Sequence, residues 1–209
     1  MLKFIQISVI TGCFSAISLL NTPLASGSGL FNSTVDQLPT GERVTLRNGQ
    51  PIITGENGKY TARVLVSTSV DTAWSVLTDY SNTPKFVPHV VSSKVITANG
   101  NQKVIEQVDA RQVFFISTRS RIRSAITETA KTRIDFRAIN GDLKSMKGYW
   151  LLEPIAPYTG AKANQILITQ VIEVQPKSGT PSGIFYGIFK ESLGEIMSAI
   201  KKETERRTQ

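Results

Sequence analysis

The chain has 209 residues, 24 Lys and Arg against 16 Asp and Glu for a formal charge of +8, one histidine and one cysteine. That length suits one ordinary domain plus a processed or flexible end. A single Cys and a single His exclude a disulfide scaffold and a Cys/His metal cluster, and the basic balance suits an anionic surface or an acidic partner.

The N-terminus carries Lys3 and an apolar run over residues 4–20, diluted by Gln6, Ser8, Thr11, Gly12, Ser15 and Ser18, then the small-residue exit Leu24-Ala25-Ser26-Gly27. This is the layout of a secretory signal over residues 1–26, cleaved near Ala25 to Gly27. Its removal takes Lys3 and lowers the charge from +8 to +7. A retained N-terminal anchor is the alternative, because the run is about as long as the ~17-residue limit for a spanning helix. Ile10-Thr11-Gly12-Cys13 also resembles a bacterial lipoprotein processing site, although the apolar run continues past Cys13. In each case the domain is exported, contains no disulfide, and rests on its core. Residues 27–59 are rich in Gly, Asn, Thr and Pro and read as a loosely ordered arm, with short strands at most near 43–46 and 51–54.

From residue 60 the pattern sharpens. Tyr60, Ala62, Val64 and Val66 alternate with Thr61, Arg63, Leu65 and Ser67, which predicts a half-buried first strand. Ser69 is placed to cap a short helix with Asp71 in its first turn and Val70, Ala73, Trp74 and Leu77 at helical spacing. Pro84 and Pro88 stop it. Strands are expected over 91–98 and 103–110 around the turn Asn99-Gly100-Asn101, then over 112–126, 133–139, 145–153 and 165–174, with Asn140-Gly141-Asp142 as a further turn. Sequential hairpins give a curved antiparallel sheet.

After a Gly/Ser/Pro linker at 176–181, Ile184, Phe185, Ile188, Phe189, Leu193, Ile196, Met197 and Ile200 form the apolar face of a long last helix. Its tail, 201–207, is charged all round and reads as solvated. Gly183, Gly187 and Gly194 weaken the helix by ~1 kcal/mol each, which suggests close approach or mobility there. The predicted class is α+β, a curved antiparallel sheet wrapped around one long helix.

The strand at Tyr60, the helix with Trp74 and Asp79-Tyr80, Pro84 and Phe86, Gly141-Asp142, the segment Gly148-Tyr149-Trp150-Leu151-Leu152-Glu153-Pro154 and the closing helix occur in that order. In these features the chain resembles the START-like, helix-grip superfamily, in its polyketide cyclase/dehydrase and coenzyme-Q-binding branch, over residues 60–207. The resemblance implies about seven strands gripping the C-terminal helix, with an apolar cavity that in many members holds a lipid, sterol, quinone or polyketide.

Catalytic chemistry finds few residues. His89 follows Pro88 without a Cys, His or paired carboxylate at metal-ligand spacing, and reads as a surface or capping residue. There is no Gly-x-Ser-x-Gly, no phosphate loop and no His-Glu-x-x-His. No catalytic residue, metal or cofactor is therefore assigned. Glu106 is predicted to face inward with Val104, Val108 and Ala110, and Gln170 with Ile168 and Ile172. Under the helix-grip resemblance, the residues expected at a ligand are Phe136, Trp150, Leu152, Phe185, Phe189, Leu193, Glu106 and Gln170.

Arg119, Arg121 and Arg123 recur at period two and share one strand face, and the next strand offers Arg133 and Arg137 beside Asp135. This stripe is either a solvated face with cross-strand ion pairs or a dock for anionic lipid head groups. No exposed aromatics accompany it, which sets nucleic acid aside. The expectation is an exported monomer that binds a hydrophobic small molecule, such as a lipid, prenylated quinone or isoprenoid, near a membrane. A cyclase, aromatase or dehydrase using Glu106 or Gln170 is the alternative.

Overall fold

The computed structural model describes residues 33–113, 116–158 and 160–209. The signal-like segment and Cys13 lie outside them. In chain order the elements are α1 (Thr40–Arg47), β1 (Ile52–Glu56), β2 (Lys59–Val66), α2 (Val70–Leu77), a 3₁₀ turn (Tyr80–Lys85), β3 (Val90–Asn99), β4 (Gln102–Val113), β5 (Ile116–Thr129), β6 (Arg133–Gly141), β7 (Leu143–Ile155), β8 (Gln165–Pro176) and α3 (Ser182–Thr208).

The strands form one antiparallel sheet in the order β1-β2-β8-β7-β6-β5-β4-β3. It has eight strands where the resemblance implied about seven. The additional one is β1, from the segment read as a loose arm. Asn57 and Gly58, at φ 52° and 86°, make the tight turn that pairs Glu56 with Lys59 and zips β1 onto β2.

The same segment holds α1, where the sequence offered at most a short strand at 43–46. Glu42 lies in its first turn and Arg47 in its last, which suits the helix dipole. Leu46, Val35 and Ile52 bury themselves against Leu65, Ile155 and Leu167 on the outer face of β2, β7 and β8. The packed unit thus starts well before residue 60.

The main core lies on the inner face, where α2 and α3 cover the sheet. Val64, Val66, Ile134 and Ile168 meet Ala73 and Val76 of α2 and Leu193, Met197 and Ile200 of α3. Each fully buried aliphatic side chain here contributes about 1.5–3 kcal/mol. The Ser69 hydroxyl accepts the backbone N–H of Thr72 at 3.1 Å, as the capping pattern required.

The sheet curves at irregular registers, with shifts at Val90/Ser92 and Val95/Thr97 in β3 and at Arg123/Ser124 in β5. A close approach adds to this at Gly148, where a Cβ would lie 2.0 Å from the Val171 carbonyl oxygen and 2.8 Å from the Phe136 ring. Only glycine lets Phe136 lie across β7 there.

The tail of α3, read as solvated, is packed on one face. Glu203 and Thr204 are buried. The Glu203 carboxylate accepts hydrogen bonds from Arg206 and Arg207, and Arg207 reaches on to Asp79. On that face the charges of Glu203 and Arg207 are satisfied by Arg206 and Asp79, so they can be covered, while Lys202 and Arg206 stay exposed.

Candidate functional site

Between the inner sheet face and the helices lies a partly open cavity of about 240 Å³. Its aromatic and aliphatic wall includes Phe136, Trp150, Phe189, Leu193, Ile126 and Ile134. A larger groove of about 650 Å³ lies on the outer face, but it is open to solvent and bordered by Asp135, Arg137, Lys147 and Glu173. The inner space is the less open and the more apolar of the two, so an apolar guest is better desolvated there, and that is the candidate site.

Trp150 and Gln170 face each other across β7 and β8, both on the inner side, and each reaches the cavity. Phe189 closes the space from α3, stacked on Tyr60 at 5.9 Å between ring centroids. Phe185 stacks on Phe189 at 5.8 Å but stands one turn beyond the wall. Leu152 is buried in the main core and does not border the cavity. Its backbone partner in β8 is Ile168, so that row is filled by packing.

Glu106 points the other way from the sequence expectation. On β4 the residues that reach inward are Ile105, Gln107 and Asp109. Glu106 stands on the outer face opposite Arg123, whose Nε donates to its carboxylate at 2.6 Å. That bond, with the nearby charges of Arg121 and Lys94, holds the Glu106 carboxyl below its usual range. The parity of β4 was ambiguous because Val104 and Ile105 are both apolar. The arginine register was the usable signal: a glutamate opposite Arg123 belongs on the arginine face.

Gln107, Asp109, Ser124, Tyr80 and Thr83 are further cavity-side polar residues that the sequence reading did not place there. Burial pushes the Asp109 carboxyl up, while the charges of Arg111 and His89 pull it part of the way back. Burial also raises the Tyr80 hydroxyl, as do its 2.7 Å hydrogen bond to Glu128 and that residue's charge. Glu128 in turn takes Lys103, so this network is internally satisfied.

His89 has a left-handed backbone, at φ 67°, and caps no helix. Its Nε2 stands 3.4 Å from Glu195 Oε2 on α3, as does an Arg111 nitrogen, and the three bridge the β3 edge to the closing helix.

The arginines lie on the outer face as their spacing required. Arg133 grips Asp135 through both Nε and Nη2 and lies 3.7 Å over the Tyr149 ring. With Arg123 held by Glu106, the cations of the stripe without an ion-pair partner among the described residues are Arg119, Arg121 and Arg137. The described residues hold no group of three metal-ligating side chains, and none of their helices is long and apolar enough to cross a membrane.

A family model described as polyketide cyclase / dehydrase and lipid transport matches residues 66–201. A START superfamily protein from Mycobacterium smegmatis is similar in structure at a TM-score of 0.59 and 17% identity, over 74% of this chain and 100% of that one. The Zhui aromatase/cyclase from Streptomyces sp. R1128 is similar at 0.57 and 15%, over 77% and 97%. Human StAR-related lipid transfer protein 5 is similar at 0.59 and 10%, over 81% and 94%. These likenesses are of fold, and they establish a START-like helix grip. No curated protein matches the sequence.

Proposed function

Because the chain belongs to the polyketide cyclase/dehydrase and lipid transport family, we propose that it binds and carries a hydrophobic small molecule, such as a lipid, isoprenoid or prenylated quinone, without covalent chemistry. The observation that carries this reading is the cavity under α3, walled by Phe136, Trp150, Phe189 and Leu193 and more apolar than polar in its lining. Native mass spectrometry of protein purified from its host without detergent, followed by solvent extraction, tests it. A stoichiometric apolar compound is expected; a folded, empty protein overturns the carrier reading.

A cyclase or aromatase reading is favoured by one observation. Asp109 borders the cavity and burial raises its carboxyl, so it holds a proton more readily than an exposed aspartate and can return it to a bound chain. It takes the place of Glu106, whose outward position removes it from such a role. Turnover of a polyketide-like chain, abolished in Asp109→Asn, would select this reading.

The arginines on the outer face without an ion-pair partner among the described residues support docking to an anionic membrane surface from which a ligand is taken. The composition of residues 1–26 supports export to an extracytoplasmic compartment.

A further inference from the structure

Four buried side-chain oxygens lack a hydrogen-bond partner among the described residues: Ser93 Oγ, Thr169 Oγ1, Gln170 Oε1 and Glu195 Oε2. Ser93 and Thr169 do not border the cavity, and Glu195 lies within 3.4 Å of His89 and Arg111. Gln170 is the remaining one. Its residue is 6% exposed and its side chain borders the cavity. A buried amide oxygen without a donor is costly, and Oε1 itself is covered, so a donor in the cavity that the amide turns to meet would relieve that cost.

Two further facts limit what that donor is. The space of about 240 Å³ is below the ~300–1,000 Å³ of ordinary small-molecule sites, so the guest is compact. The neighbour of Gln170 across the ladder is Trp150, an aromatic surface beside the polar group. The amide can also turn about its last bond and present its NH2. A hydroxyl both donates and accepts, so it satisfies either face of the amide, whereas a ketone or ether satisfies only one.

We propose that the guest is a compact neutral alcohol or phenol, of one or two rings or one short chain, whose hydroxyl bonds the Gln170 amide while its apolar body packs on Trp150. Gln170 is then the specificity-determining residue of the cavity. This rests on the reading of the cavity as a binding site and narrows it to a preference for hydroxylated guests: a quinol or isoprenoid alcohol meets either face of the amide, an oxidised quinone meets only one, and a two-chain lipid exceeds the space.

The probes are 2-naphthol and 2-methylnaphthalene, nearly isosteric and differing by hydroxyl against methyl. Their affinities for the purified protein are measured by fluorescence titration, with wild type and Gln170→Met compared. Wild type is expected to hold 2-naphthol about tenfold more tightly, and Gln170→Met to bring the two within about twofold. Equal affinities in wild type, or a preference that survives in Gln170→Met, overturn the proposal while leaving the cavity reading standing. Failure of wild type to bind either probe overturns both.

A second measurement covers a variant that folds poorly. Removing an unpartnered amide from the empty protein should raise the melting temperature of Gln170→Met by about 3 °C. A melting temperature lowered by as much or more shows the amide to be a structural partner, and overturns the proposal.

Discussion

Arg207 Nη2 lies 2.7 Å from Asp79 Oδ2, which ties the last turn of α3 to the segment that follows α2. The same guanidinium bonds Glu203, and its carbon stands 5.7 Å from the Phe86 ring centroid. Arg207→Ala leaves two carboxylates short of a donor and should cost about 1–3 kcal/mol in urea denaturation. The acid limb of stability should change with it. Hydrogen bonds from Arg206 and Arg207 bring the Glu203 carboxyl from 4.5 to about 2. Burial would raise Asp79, but the bonds from Arg207 and Asn82 outweigh it and leave that carboxyl lowered too. Both carboxylates bind protons more readily when unfolded, so their contribution is present above the ordinary carboxylate range and is lost as pH falls from about 4.5 towards 2. In Arg207→Ala this loss should be shallower.

Asp109 has the opposite sign. Its carboxyl is raised by burial, so the folded state binds the proton more tightly than the unfolded chain. Its favourable contribution is present below the ordinary aspartate pKa and is lost as pH rises through the folded value. Asp109→Asn should therefore stabilise the protein at pH 7 by about 1 kcal/mol, with the difference disappearing at acid pH. Urea midpoints at the two pH values decide it, and a variant destabilised at pH 7 would contradict the desolvation argument.

Phe189 and Phe185 stack on each other, yet only Phe189 borders the cavity. Phe189→Asp should abolish retention of an apolar dye, whereas Phe185→Asp should weaken it less than tenfold. Circular dichroism must show both variants folded, and equal losses would place the guest elsewhere along α3.

The helical glycines have no packing reason among the described residues. A Cβ at Gly183 or Gly187 meets nothing within 4 Å, and at Gly194 it makes only an ordinary 3.6 Å contact with Ile53. Gly183→Ala and Gly187→Ala should each stabilise the domain by about 0.5–1 kcal/mol. If opening of α3 admits the guest, the double variant should also slow dye exchange in stopped-flow release, and unchanged release would show that the glycine end does not move.

Arg119, Arg121 and Arg137 are the testable part of the outer stripe. Replacing all three with Ser should weaken binding to phosphatidylserine vesicles roughly 100-fold, at about 1 kcal/mol per residue, and leave dye binding unchanged. Vesicle binding that survives the triple change would reduce the stripe to a solvated face.

The fold was legible where local chemistry was decisive. Asn99-Gly100 and Asn140-Gly141 marked real turns, and Ser69 capped the helix it was assigned. Element α1 was hidden because it has eight residues with one fully buried, Leu46, and its packing partners Leu65, Ile155 and Leu167 are remote in sequence. The site was legible only in part. Trp150, Phe136, Phe189, Leu193 and Gln170 reach the cavity, while Leu152 and Phe185 fall outside it and Glu106 lies on the opposite face. Period-two reasoning fixes a face only when the two faces differ, and on β4 Val104 and Ile105 made them alike.

The two ends of α3 are held unequally. At one end Glu203, Arg206, Arg207 and Asp79 form a fastened knot; at the other Gly183 and Gly187 stand in open space beside Phe185 and Phe189. If the glycine end yields, the 240 Å³ cavity is a resting capacity with one side that gives. A guest slightly too long would be accommodated towards the phenylalanines at a graded cost, so a homologous series of alcohols should fall off gradually in affinity with length rather than meet a sharp cutoff.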